Sequence, residues 1–163
     1  MVILGIDPGF DGALALIDSN GSCFGVADTP TLYLRRKPQR REYNLPEIRS
    51  LLYYYQDLYK PLRAALESTH AMPKQGVRSM FQMGLGLGMW MGMLAGLAIP
   101  YELIPPQRWK KVMLDGMPKG KLTALVKARQ LWPGAELGLK KHVGRADALL
   151  LAEYLRRVSV VEP

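Results

Sequence analysis

The first 34 residues contain no lysine or arginine, although the chain carries 22 basic and 14 acidic side chains and a formal net charge of +8. Every basic residue therefore lies from Arg35 onward, while the opening segment holds Asp7, Asp11, Asp18 and Asp28. A single cysteine, Cys23, excludes an internal disulfide and favours a reducing compartment such as the bacterial cytoplasm. The first apolar run, MVILGI, has no basic residues ahead of it and is ended by Asp7, which argues against a secretory signal. Residues 79–101 lack charge altogether, and by length alone they could span a bilayer. The surrounding pattern instead makes them a helix of an α/β domain. What is present in excess is positive charge, which favours a polyanionic partner, nucleic acid ahead of an anionic membrane. An acidic site set into a basic surface suits a metal-dependent nuclease, with metals on carboxylates and phosphates on Lys and Arg.

Length and an apolar content of 48% suit one domain over residues 1–163. MVILGI reads as a strand buried on both faces, closed by Asp7-Pro8-Gly9. GALALID and CFGVAD read as the next two strands, joined by the hairpin signal Ser19-Asn20-Gly21-Ser22. A basic loop is expected at about 31–44, then a helix capped by Asn44 with apolar residues from Ile48 to Tyr59 at helical spacing. RAALEST is a strand ending on Glu67, and HAMPKQG a loop. A Gly-rich helix follows at about 77–98. IPYELIP is a further strand, with helices expected over 105–113, 119–131 and 143–157. Strands first, then strands alternating with helices, predict a mixed α/β fold: one central five-stranded sheet, an antiparallel meander followed by parallel strands, flanked by helices. Gly84, Gly88, Gly92 and Gly96 share one helix face and together cost roughly 4 kcal/mol of helix propensity. That cost predicts close packing of this face on the sheet, on another helix or on a second subunit.

Three carboxylates stand where the pattern predicts burial or an element end. Asp7 ends the first strand, Glu67 ends AALE, and Asp147 lies in the first turns of the last helix between Ala146 and Ala148. His142 lies five residues before Asp147. Taken singly, each has an ordinary explanation: a turn aspartate, a strand-end glutamate, an aspartate favoured by a helix dipole, a surface or core histidine. Taken together they form an oxygen-rich set suited to Mg²⁺ or Mn²⁺. Asp11 is a further candidate ligand.

GIDPG, ALEST, the Gly-rich helix, PPQRWKKV and KKHVGRADALLLAEY, in this order, resemble the Holliday-junction resolvases of the RuvC type. The resemblance runs from Val2 to about Arg157, and the last motif resembles the branch found in bacteriophages and plant plastids. Val143 departs from that branch, which often carries Asp there. The resemblance implies an RNase H-like fold and a homodimer that nicks four-way DNA junctions in pairs, with two Mg²⁺ or Mn²⁺ ions per active site. It implies no nucleotide cofactor and no membrane. Asp7, Glu67, His142 and Asp147 would be the catalytic metal ligands, and the products would carry 5′-phosphate ends. Lys110 and Lys121 would lie near the scissile phosphate, with Lys111, Lys119, Lys127 and Arg129 extending the basic area. Lys74, Gln75 and Arg78 would follow a loop that enters the junction, where His70 or Met72 would act as a wedge.

Two other classes share parts of this pattern. Actin-like ATPases and sugar kinases also place a carboxylate and a Gly-rich hairpin after the first strand, but they need two such domains and leave RADALLLA unexplained. A different RNase H-like nuclease, acting on a flap or an RNA–DNA hybrid, would carry the same metal site. A purely structural junction-binding protein leaves the three carboxylates without a purpose.

Overall fold

The computed structural model describes residues 1–35, 40–70 and 74–159. Seven strands form: β1 (Val2–Ile6), β2 (Ala13–Asp18), β3 (Cys23–Asp28), β4 (Thr31–Leu34), β5 (Arg40–Tyr43), β6 (Leu62–Glu67) and β7 (Tyr101–Ile104). Five helices join them: α1 (Leu45–Leu58), α2 (Val77–Gly96), α3 (Pro106–Met113), α4 (Thr123–Leu131) and α5 (Val143–Ser159), with a 3-10 turn at Lys140–His142. The main sheet has the order β3-β2-β1-β6-β7; β1, β2 and β3 pair antiparallel, and β1, β6 and β7 pair parallel. This is the mixed five-stranded sheet that the strand pattern predicts.

Side-chain parity divides the sheet into two faces. Ile3, Ala13, Ala15, Ile17, Ala65 and Ile104 pack against α3, α4 and α5. Leu4, Ile6, Leu14, Leu16, Ala64 and Leu66 pack against α1 and α2. The central strands are covered on both sides, which is why MVILGI and GALALID lack the polar alternation of a half-exposed strand. Parity also assigns the ends of β1 and β6. Gly5 pairs with Ala65, and two residues further on each strand reaches Asp7 and Glu67, on the face that receives α5.

Local signals set the helix starts. Asn44 Oδ1 accepts from the Glu47 N–H, and Asn44 Nδ2 donates to Glu47 Oε2 at 2.7 Å, so the predicted cap holds α1. The last helices differ slightly from expectation. Residues 119–122 form a turn, with Thr123 Oγ1 donating to Pro118 O, and α4 begins only at Thr123, because Pro118 and Gly120 both disfavour a continuous helix.

Two further expectations change. The segment expected as a basic loop at about 31–44 holds a β-hairpin, β4 paired with β5 from Thr31–Tyr43 to Leu34–Arg40. The apolar and aromatic residues of β4, Leu32, Tyr33 and Leu34, and Tyr43 of β5 favour the ladder where the density of Arg and Lys pointed to a loop. Among the described residues the glycine face of α2 packs on neither the sheet nor another helix, which leaves a second subunit of the three packings expected: a Cβ at Gly84, Gly88, Gly92 or Gly96 would meet nothing within 4 Å. The helix instead buries Gly86, Trp90 and Leu94 on the opposite side. Among the described residues no helix is long and apolar enough to cross a membrane.

The tight crossing of α5 over β1 rests on Gly5, where any Cβ would collide with the Ala148 carbonyl oxygen. Gly5→Ala is expected to cost at least about 1–3 kcal/mol of unfolding free energy. A urea midpoint equal to wild type would contradict this packing.

Candidate metal and nucleic-acid site

Three glycines bring the acidic elements together. Gly5 lets α5 cross β1 closely, Gly144 lets the start of α5 touch the Asp11 carbonyl, and Gly12 lets the DPGFDG turn fold back on the Asp7 carbonyl. The turn is closed by Asp7 N–H to Ala13 O and Gly12 N–H to Gly9 O, both 3.0 Å. These contacts set Asp147 on α5 beside Asp7, while the β1–β6 register sets Glu67 beside it on the neighbouring strand.

The charges of the three carboxylates act on one another. Glu67 is buried, and its pKa rises to about 8, first through burial and then through the charges of Asp7 and Asp147. Asp147 rises to about 7, through burial first and Asp7 among the remaining causes. Asp7 is also pushed up by burial, opposed by the Gly9 N–H at 3.3 Å and by Lys110. Lys110 lowers all three; its Nζ lies 3.8 Å from Asp147 Oδ2 and 5.0 Å from the centroid of the Trp109 ring. Trp109 also lowers the Glu67 pKa, although its indole N–H makes no hydrogen bond of ordinary geometry.

One lysine among three carboxylates leaves the site short of positive charge. Asp147 Oδ1 is buried without a hydrogen-bond partner, a costly state for a carboxylate oxygen. Oxygen donors whose ionised forms burial and mutual charge disfavour fit a hard divalent cation such as Mg²⁺ or Mn²⁺, which would stabilise those forms. Among the described residues no three His, Cys, Asp or Glu side chains converge closely enough to form a ready ligand cluster.

His142 occupies a different environment. It is buried in the turn before α5, and its Nδ1 accepts from the Leu139 N–H at 3.4 Å. Burial lowers its pKa, and the charges acting on it are Arg145, Asp28, Lys141 and Glu136, not the three carboxylates. Arg145 clasps Asp28 through two bonds of 2.6 and 3.0 Å and also reaches Glu136 at 3.2 Å. This clasp went unread in the sequence; the only signal was an arginine two residues before Asp147.

The expected DNA-contact residues fall on two sides. Lys110 and Lys111 lie in the last turn of α3 and, with Lys119, line a depression of about 460 Å³ between α3 and α4. Lys121 is exposed in the turn before α4. On the other side, His70 and Lys74 are exposed near the end of β6, and Arg78 opens α2. Gln75 Nε2 donates to Ser79 Oγ at 3.2 Å. Met72 and part of the basic run, 36–39, lie outside the described residues. Arg78 shares a groove of about 820 Å³ with Arg40, Arg41, Tyr43 and Phe81, formed between the hairpin and α2. That groove went unread because the hairpin did.

No protein-family model matches the chain. Over 69 residues the chain is 42% identical to the chloroplastic Holliday junction resolvase of Chlamydomonas reinhardtii, a stretch covering 41% of this chain and 8% of that protein. The chain thus spans a small fraction of that relative's length. Its fold matches RuvC of Thermus thermophilus in complex with a Holliday junction substrate, with a TM-score of 0.62 and 16% identity over 98% of this chain and 96% of that one. A second Thermus thermophilus RuvC structure matches with a TM-score of 0.59 and 17% identity, covering 99% of this chain and 97% of that one. The chain has the RNase H-like fold of RuvC.

The raised pKa values carry a stability consequence. Glu67 and Asp147 bind protons more tightly in the folded state than in the unfolded one, so their contribution is full below the ordinary value near 4 and is lost as pH rises toward about 8 and about 7. Thermal melts in EDTA should show the protein losing stability across that window, and Glu67→Gln should flatten the loss. A melting temperature independent of pH there would contradict the buried cluster.

Proposed function

We propose that this chain is a divalent-metal-dependent endonuclease that resolves four-way DNA junctions by paired nicks, working as a homodimer. The observation that carries the reading is the meeting of Asp7, Glu67 and Asp147 with Lys110 at one end of an RNase H-like sheet, in a chain whose motifs resemble a resolvase throughout. The 42% identity to a stretch of a chloroplastic resolvase supports the same assignment.

Asp7, Glu67 and Asp147 would hold the ions. Divalent ions there supply Lewis-acid chemistry for phosphodiester hydrolysis, lowering the pKa of water and offsetting charge on the leaving oxygen. Asp7 acts electrostatically on both other carboxylates, which gives it the central place in the set. Lys110 lies 3.8 Å from Asp147 Oδ2, at the edge of the carboxylate set, from where it would meet the scissile phosphate. Lys111, Lys119 and Lys121 on one flank, and Lys74, Arg78 and Arg40 on the other, hold the flanking phosphates. His70 is exposed in the loop after β6, where a wedge into the junction centre would sit.

Two nicks across one junction call for two active sites. The open glycine face of α2, bordered by exposed Val77, Phe81 and Leu85, is the surface on which a second copy would pack, because bare glycines let two helices approach closely.

The test is cleavage of a labelled four-way junction with Mg²⁺, beside duplex, flap and RNA–DNA hybrid of the same sequence. Paired symmetric nicks in the junction alone, abolished by EDTA, are expected. Asp7→Asn should abolish cleavage while leaving junction binding intact, since it removes a metal ligand and no phosphate contact. Cutting by Asp7→Asn at the wild-type rate would contradict the site, and cutting of the hybrid or flap instead would replace the substrate.

The subunit arrangement is tested separately. Gly88→Ala should strengthen α2 by about 1 kcal/mol through helix propensity yet weaken self-association measured by light scattering. A wild-type monomer at micromolar concentration would contradict the homodimer.

A further inference from the structure

We infer that the β4–β5 hairpin is a strap that holds the Asp7 turn in shape for metal binding, with Arg41 and Tyr43 as positioning residues. The inference rests on the proposed role of Asp7 as a metal ligand.

The turn Asp7–Gly12 is closed by two backbone bonds and by the Gly9 N–H to Asp7 Oδ1, and its Pro8 and Phe10 carbonyls take no part in them. The hairpin supplies their partners. Tyr43 Oη donates to Pro8 O at 2.8 Å, one residue from Asp7. Arg41 Nη2 donates to Phe10 O at 2.6 Å, and its Nη1 binds Asp11 Oδ1. The Arg41 Nε donates to Thr31 Oγ1 at 3.0 Å, so the guanidinium is held from both ends. The Phe10 ring lies 4.5 Å from that of Tyr43 and 5.6 Å from the Arg41 guanidinium carbon. Among the described residues these two side chains supply three hydrogen bonds to the turn from outside its own strands, and the Thr29 N–H adds one to Gly12 O at 2.9 Å.

The strap is itself braced from behind. Gly86 of α2 leaves room for the Tyr43 hydroxyl, and any Cβ there would collide with it. This gives Gly86 a purpose distinct from that of the open glycines on the other face. Arg41 and Tyr43 also line the groove shared with Arg40 and Arg78, so an anionic strand lying in that groove would rest on the residues that hold the metal turn. Groups that hydrogen-bond behind metal ligands orient them, and their loss commonly costs about 10–100-fold in metal affinity or activity.

The pair was hidden in the sequence because Arg41 stands in a run of basic residues that reads as a solvated loop. Its fork geometry, with one face to a carbonyl and the other to a carboxylate, is a use of arginine that lysine does not reproduce.

The test uses the full-length chain as wild type, Tyr43→Phe and Arg41→Lys. Tyr43→Phe removes one hydroxyl and keeps the ring contact; Arg41→Lys keeps the charge and removes the fork. Two quantities are read for each: Mn²⁺ binding by electron paramagnetic resonance and melting temperature in EDTA. The expected result is an Mn²⁺ midpoint raised about tenfold or more in both variants, with melting temperature little changed from wild type. An unchanged Mn²⁺ midpoint overturns the strap. So does a raised midpoint accompanied by an equal relative loss of melting temperature, which would mean general loosening. A wild-type protein that binds no Mn²⁺ overturns instead the metal site itself, and the strap with it.

Discussion

Three carboxylates that would each prefer to be solvated are held together at one end of the sheet, and the rest of the site follows from that repulsion. Burial and mutual charge raise Glu67 to about 8 and Asp147 to about 7, so the site holds protons that a single lysine does not displace. A protein that maintains such a cluster stores unfavourable electrostatic energy in its free state. A divalent cation held there, as proposed, would displace the protons and offset the charge they leave. The same cluster accounts for Lys110 lying on a half-buried helix turn rather than on the open surface.

The sheet supplies the rigidity that this arrangement needs. β1 is the central strand, paired with β2 on one side and β6 on the other, and it delivers Asp7 from the best-supported position in the fold. Glu67 comes from the adjacent parallel strand, so strand pairing alone fixes their spacing. Asp147 comes from α5, whose approach depends on Gly5 and Gly144. Two residues without side chains thereby set the position of a third residue's carboxylate. The DPGFDG turn joins β1 to β2, and the β4–β5 hairpin that grips it forms a two-stranded sheet separate from the main one.

Much of the architecture is legible in the sequence because its signals are local and physical. Strands covered on both faces show as unbroken apolar runs, the Ser19-Asn20-Gly21-Ser22 turn marks a hairpin, and Asn44 with Glu47 marks a helix start. The three carboxylates stand at element ends, where periodicity points to them. What escapes is whatever depends on long-range contact. The hairpin's ladder joins residues in a stretch whose composition argues for a loop. The glycine pattern of α2 demands close packing but does not say against what: Gly86 packs within the chain, while the four-residue series leaves its face open. The Asp28–Arg145 clasp joins residues 117 positions apart, and no pattern in either segment announces it.

The most direct test of the cluster as a metal site is anomalous diffraction from crystals of the protein grown with Mn²⁺. Manganese peaks bounded by the carboxylates of Asp7, Glu67 and Asp147 are the predicted result, with Lys110 displaced from Asp147. Manganese absent from this end of the sheet, or held at Asp28 and His142 while the three carboxylates keep their lysine, would contradict it.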